Sequence, residues 1–255
     1  MEMDDNLKGV RALVTGAGSG IGRAIALRLA RSGAAVAVAD IKADRVKNTA
    51  ELIINSGGRG IAIIADVSKP ADCERLVKEA VDAFGGLDVL VNNAGVSGAS
   101  FIESLPDSEI ERILSVNLSG VIRVTKAAAP HLKKSGRGRI INLSSVEGIR
   151  GSGLLPVYSA SKAGVIGLTR ANAIEFARYK CTVNALCPGP IQTEMLAPLI
   201  ADEKTKEKFL KGIPMRRLGV PEDVAGVVAF LASEESSFIT ANTIVIDGGM
   251  TCKSL

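Results

Sequence analysis

A short apolar run that feeds into a glycine loop and then a helix constrains this chain most. Val10 to Thr15 reads V-R-A-L-V-T, a candidate buried strand. It is followed by G-A-G-S-G-I-G and by a helical pattern from Ile21 to Arg31. Gly16, Gly20 and Gly22 keep G-x-x-x-G-x-G spacing, with Ser19 and Ile21 among them. Glycines let the backbone turn sharply and approach a pyrophosphate, and a helix N-terminus offers N–H donors and a positive dipole end. A bare glycine loop is a weak signal. With a strand before it and a helix after it, it points to a dinucleotide site rather than a tight turn.

The rest of the chain repeats that rhythm. Gly33 to Asp40 is a second strand that ends in an acid. Asp44 to Ser56 reads as a helix, Gly60 to Ala65 as a strand followed by Asp66-Val67, and Lys69 to Phe84 as a helix. Leu87 to Val91 is a fourth strand, ending in N-N-A-G (Asn92 to Gly95). A long helical stretch runs from Pro106 to about Lys134 and contains Asn117, whose side chain needs partners if it is buried. Gly138 to Ser144 is a fifth strand, a loop with Arg150, Gly151 and Gly153 leads to a further helix, and Thr182 to Cys187 ends in P-G-P-I-Q-T. Strands alternating with helices predict an α/β fold: one doubly wound Rossmann domain over residues 1–255. We expect about seven parallel strands with helices on both faces, and sites at the strands' carboxyl ends. No Pro/Ser-rich linker divides it.

Composition narrows the function classes. Hydrophobic residues make up 47% and aromatics only 3%, with no Trp, so the core is expected to be Ala, Val, Ile and Leu. The net charge of +4 is scattered, with no basic patch interleaved with aromatics, which argues against nucleic-acid binding. A single histidine, His131, excludes a His-based metal cluster and makes zinc-dependent alcohol chemistry unsupported; it is expected on an exposed helix end. Four cysteines without C-x-x-C spacing read as free thiols. The acidic N-terminus, M-E-M-D-D-N, has no apolar stretch typical of a signal peptide, and no run reaches the ~18 residues of a membrane span. The expected setting is cytoplasmic, with no membrane association.

Chemistry concentrates at Y-S-A-S-K, Tyr158 to Lys162. On a helix these two share a face at i and i+4. A free phenol has a pKa of about 10, and an adjacent ammonium favours its phenolate. Ser145, thirteen residues before Tyr158, stands at the end of R-I-I-N-L-S-S and brings a hydroxyl to a strand's carboxyl edge. Alone, Y-x-x-x-K is a weak signal, better explained by a solvated helix face; its surroundings reverse that. Asp40, about 20 residues past the glycine loop, suits the adenosine ribose hydroxyls and repels the extra phosphate of NADP. Asp40 also suits a helix N-cap. Ile41 and Ser19 bring no cation there, and Lys42 is the one dissenting residue. NAD is the expected cofactor.

Together, T-G-A-G-S-G-I-G, Asp40, Asp66-Val67, N-N-A-G, Asn117, Ser145, Y-S-A-S-K, P-G-P-I-Q-T at Pro188 and I-D-G-G-M at Ile246 resemble the short-chain dehydrogenase/reductase family over nearly the whole chain. The resemblance implies a catalytic tetrad of Asn117, Ser145, Tyr158 and Lys162. Asp66 and Val67 are implied at the adenine and Asn93 at the ribose side. Lys162 is implied at the nicotinamide ribose, and Pro188, Ile191 and Thr193 around the nicotinamide. It also implies a homotetramer, with which the small residues Ala160, Ala163, Gly164 and Gly167 are compatible. The family often has Thr-Gly before the last strand; Thr240-Ala241 departs from it. The implied chemistry is reversible hydride transfer between NAD and a secondary alcohol, with Tyr158 moving the proton.

Substrate choice is expected in Val96 to Phe101, Val146 to Val157 and Glu194 to Pro214, the last lying in a mobile lid over about residues 190–214. Leu154, Leu155, Met195 and Leu196 suggest an apolar wall. Lys204, Lys206, Lys208, Lys211, Arg216 and Arg217 could meet the phosphates of a coenzyme A or carrier-protein thioester, but a solvated face balanced by Asp202, Glu203 and Glu207 explains them better. A 3-oxoacyl-thioester reductase is the alternative enzyme, and its usual preference for NADP argues against it, given Asp40. A catalytically silent dinucleotide-binding subunit is the non-enzyme alternative, against which the full tetrad argues.

Overall fold

The structure is a computed structural model that describes residues 5–252; the start of the acidic N-terminus, Met1–Asp4, lies outside the described residues. The chain alternates as its periodicity predicts. The first half runs β1 (Arg11–Thr15), α1 (Gly20–Arg31), β2 (Ala35–Asp40), α2 (Ala43–Asn55), β3 (Arg59–Ile64), α3 (Pro70–Phe84) and β4 (Val89–Asn92). The second half runs α4 (Asp107–Leu114), α5 (Val121–Ser135), β5 (Arg139–Leu143), α6 (Glu147–Arg150), α7 (Pro156–Phe176), β6 (Thr182–Pro188), α8 (Ala197–Ile200), α9 (Glu203–Gly212), α10 (Pro221–Ala232) and β7 (Thr243–Ile246).

All seven strands are parallel, in the order β3-β2-β1-β4-β5-β6-β7. The order reverses between β1 and β4, and a crevice opens outside the carboxyl ends of strands at such a reversal. Central strands are buried on both faces, so they read as continuous apolar runs. Ala12 and Val14 of β1 pack with α1, α2 and α10; Leu13 packs with α3, α5 and α7 on the other face.

Two expectations change. The stretch from Pro106 to Lys134 is not one regular helix: between α4 and α5, Ser115–Gly120 forms a π-helical turn, and Asn117 sits in it. Such bulges re-aim side chains and recur at functional sites. His131 lies in α5 and is half-buried rather than exposed. Ala241, the departure from Thr-Gly noted in the sequence, bears on the backbone: it adopts φ 61, a left-handed conformation that an alanine takes at a cost of roughly 1–2 kcal/mol. Its N–H donates to the Val183 carbonyl (2.8 Å), which holds it there.

A buried polar network pins the site helix to the sheet. The Asn92 amide donates to Asn142 Oδ1 (2.8 Å) and Thr125 Oγ1 (3.0 Å), and the Asn142 amide donates to Thr169 Oγ1 of α7 (2.9 Å). At the opposite edge, Asp88 is buried and takes a forked pair of bonds from Arg11 (2.8 Å each) and one from Ser135 (2.6 Å). Burial pushes its carboxyl up, but these donors win and hold it at about 2.

Candidate active site

A cleft of ≈ 380 Å³ lies over the carboxyl ends of β1, β4, β5 and β6. One wall is the glycine loop: Gly16, Ser19, Gly20, Ile21 and Gly22 line it, with Asp40 beyond. Gly16 has φ 63, and a side-chain carbon there would lie 2.8 Å from Ala94 Cα. At Gly22 such a carbon would collide with the Gly16 carbonyl and the Asn93 amide. Only glycine permits this tight packing, which leaves the first-turn N–H groups of α1 facing the cleft. Asn93 fastens the loop: its amide donates to the carbonyls of Thr15 (2.9 Å) and Gly16 (3.0 Å). Asp40 accepts from the N–H groups of Gly18 and Lys42 (2.9 Å each) and turns its carboxylate to the loop.

The residues of the expected tetrad come from separate segments. Tyr158, Lys162 and Ser145 line the cleft. Lys162 Nζ is buried, donates to the Leu143 carbonyl (2.8 Å) and lies 5.7 Å from the Tyr158 ring centroid. Desolvation lowers its pKa to about 8. Burial also pushes the Tyr158 phenol up, and the Ser145 hydroxyl acts the other way. Burial is the larger effect, so in the protein alone the phenol stands above its ordinary value. The two serines separate cleanly. Ser144 donates to the Lys162 carbonyl (2.8 Å) and is structural, whereas Ser145 Oγ accepts the Glu147 N–H (3.1 Å) and keeps its own proton for another partner.

Asn117 stands behind this group, fully buried. Its Oδ1 accepts from Val96 N–H (2.8 Å), and its Nδ2 donates to the Val96 carbonyl (2.9 Å) and to Ser161 Oγ (3.2 Å). A side-chain carbon on Gly95 would sit 3.4 Å from both Asn117 Oδ1 and Lys162 Nζ, so Gly95 keeps the space between them open.

Pro188, Ile191 and Thr193 close the cleft opposite, and the Thr193 methyl lies over Gly20. The structure does not bring Asp66 and Val67 into the cleft. Val67 is buried against Gly120, and Asp66 caps the next turn through the N–H and hydroxyl of Ser68. Leu155, Met195 and Leu196 line the cleft as expected, whereas Leu154 does not. The segment expected as a lid forms two short helices, α8 and α9, and Phe209 of α9 lines the cleft. Cations in and just beyond this segment are paired, Lys206 with Glu203, Lys211 with Glu207 and Arg217 with Asp223, which favours the solvated-face reading. Within the Val146 to Val157 segment expected to choose the substrate, the structure brings Glu147 and Arg150 into the cleft wall, and it adds Met250, which sequence reasoning did not place there. The first two lie on α6, a helix too short to show periodicity. Met250 is held by a loop whose N–H groups bond Asp247, and the I-D-G-G-M motif was its only signal.

A family model described as enoyl-(acyl carrier protein) reductase matches residues 16–251. The chain belongs to the short-chain dehydrogenase/reductase family. It is 42% identical over 250 residues to an uncharacterized oxidoreductase of Thermotoga maritima, covering 96% of this chain and 99% of that one. It is 43% identical to a (3R)-3-hydroxyacyl-CoA dehydrogenase of Rattus norvegicus, covering 96% and 97%. Among solved structures, a candidate NAD(P)-dependent gluconate 5-dehydrogenase from Beutenbergia cavernae, with NADP bound at low occupancy, superposes with a TM-score of 0.93 at 36% identity, covering 98% and 100%. The protein is thus an oxidoreductase of a family that binds an NAD(P) dinucleotide. No helix among the described residues is long and apolar enough to cross a membrane, and no group of three or more potential metal ligands occurs among them.

Proposed function

We propose that this protein interconverts a secondary alcohol and its ketone, with NAD preferred over NADP. The observation that carries the reading is one cleft with a glycine cradle on one wall and Ser145, Tyr158 and Lys162 on the other. The cradle fits a dinucleotide: close-packed glycines, first-turn N–H groups and a terminal carboxylate at Asp40. When bound, the nicotinamide supplies or accepts the hydride.

The chain's own residues handle the proton and the oxygen. Ser145 donates to the substrate oxygen, its Oγ oriented by the Glu147 N–H. In oxidation, Tyr158 takes the hydroxyl proton; in reduction, it returns it. Lys162, cationic below about 8, stabilises the phenolate as it forms and holds the nicotinamide ribose. The space that Gly95 leaves between Asn117 Oδ1 and Lys162 Nζ suits a relay water through which the proton leaves. Asp40 favours NAD, because its carboxylate repels a 2′-phosphate and the nearby Arg45 is paired with Glu194 (2.5 Å).

A 3-hydroxyacyl thioester is the second reading, favoured by the rat relative and by Lys204 and Lys208, which are exposed on α9. A homotetramer is proposed as well. Ala160, Ala163, Gly167, Ala171 and Ile174 form an exposed stripe along α7, whereas Gly164 packs on the chain's own Leu118. Sedimentation as a monomer at micromolar concentration would reject the tetramer.

The test is nicotinamide absorbance with NAD⁺ and NADP⁺ against secondary alcohols, cyclic diols and 3-hydroxyacyl thioesters. Turnover of an alcohol with NAD⁺ is expected. Turnover confined to NADP⁺ and thioesters would replace this reading with the second.

A further inference from the structure

Glu147 carries a polar atom that the tetrad chemistry leaves unexplained. Its Oε1 accepts from Arg150 Nη2 (2.7 Å), and its side chain is only 14% exposed. Its Oε2 is buried with no hydrogen-bond partner in the protein. A buried carboxylate oxygen left unpaired is expensive, so such an atom in a cleft wall calls for a donor from a ligand. The other two acids in the cleft wall are engaged: Asp40 by two backbone N–H groups and Glu194 by Arg45.

The position of Glu147 is tightly determined. Its own N–H bonds Ser145 Oγ, which meets the reacting oxygen. Its negative charge also helps hold the Tyr158 phenol up. The next residue, Gly148, presses α6 onto α7: a side-chain carbon there would come within 2.8 Å of the Lys162 carbonyl carbon and 2.9 Å of Ser144 Oγ. Glu147 therefore lines the same cleft as Ser145, Tyr158 and Lys162, with its backbone fixed against them.

We propose that Glu147, steadied by Arg150, accepts a hydrogen bond from a second hydroxyl of the substrate, close to the carbinol that reacts. The substrate class is then a diol, polyol or hydroxyketone rather than an apolar mono-alcohol. This deepens the alcohol–ketone reading and rests on it. A site built to bond a hydroxyl discriminates against an analogue lacking it, because the buried acceptor is then left unpaired.

The test pairs cyclohexane-1,2-diol with cyclohexanol in the presence of NAD⁺. The wild type and Glu147→Gln are compared by kcat/KM and by protection against thermal unfolding. The amide keeps the size but offers N–H where the carboxylate offers a lone pair. The wild type should prefer the diol by about 10- to 100-fold, carried mainly in KM, and Glu147→Gln should lose most of that ratio. Equal use of both alcohols by the wild type would overturn the inference and leave the alcohol–ketone reading standing. So would a diol preference that survives Glu147→Gln. A preference for carboxylate-bearing alcohols that Arg150→Met abolishes and Glu147→Gln does not would also overturn it, in favour of an anion subsite. If neither alcohol turned over, Glu147-dependent protection by the diol alone would support the subsite while defeating the reaction, and no such protection would defeat the subsite.

Discussion

Lys162→Met should stabilise the protein while destroying its activity. Lys162 is 4% exposed, and burial takes its pKa from the ordinary 10.5 down to about 8. Each pKa unit is 1.36 kcal/mol, so carrying the buried ammonium at neutral pH costs about 3 kcal/mol. Methionine fills similar space without a charge but leaves the Leu143 carbonyl without its donor, a loss of about 1–2 kcal/mol. The net gain is roughly 1–2 kcal/mol, or about 3–6 °C in melting temperature for a domain of this size. The pH dependence follows from the depressed folded pKa. Between about 8 and 10.5 the unfolded chain binds more protons than the folded one, so wild-type stability rises with pH across that window. The advantage of Lys162→Met is thus largest below about 8 and shrinks as pH approaches 10.5. Thermal melts of both proteins without dinucleotide, taken at neutral pH and near 10.5, measure this directly. A variant that melts below the wild type at neutral pH, or an advantage that grows with pH, would refute the reasoning. The stability gained would measure what the site gives up to keep a cation beside Tyr158.

Four further outcomes follow from the same structure. Asp88→Asn should cost about 2 kcal/mol at neutral pH, from the fall of its carboxyl from 3.8 to about 2. The wild-type advantage is full above 3.8 and lost as pH falls through about 2, so acid unfolding curves of the two proteins should converge there. Ala241→Gly, which relieves a φ of 61, should raise stability by about 0.5–1 kcal/mol in denaturant titrations, after the entropy loss of glycine is deducted. Asp40→Ala should raise the NADP-to-NAD ratio of kcat/KM by at least about tenfold, since like charges no longer meet. With burial holding the Tyr158 phenol up, alcohol oxidation should accelerate with rising alkaline pH and ketone reduction should fall, read from initial rates in each direction.

Much of the fold was legible because its signals are local. The run from Val10 through the glycine loop to Arg31 spells a strand, a turn and a helix in sequence order, and the structure forms β1 and α1 there. Ser145, Tyr158 and Lys162 were legible as a set because a thirteen-residue spacing and one helical turn bring them to one face. What escaped depends on tertiary packing. The π-helical turn around Asn117 forms where Gly120 meets Val67, a contact across 53 residues. Glu147 enters the cleft because Gly148 lets α6 lie against α7, and no periodicity within four residues announces it. The direction of the Tyr158 shift depends on how deeply the phenol is buried against how near the ammonium comes, and sequence reports neither.

The most direct test of the central claim compares wild type with Tyr158→Phe, following reduced-nicotinamide absorbance with NAD⁺ and a secondary alcohol while NAD⁺ affinity is titrated in parallel. The account predicts unchanged NAD⁺ binding and turnover lower by about 10²- to 10⁴-fold, because only the proton-transferring hydroxyl has been removed. A Phe variant with wild-type turnover would contradict it, whatever the dinucleotide affinity.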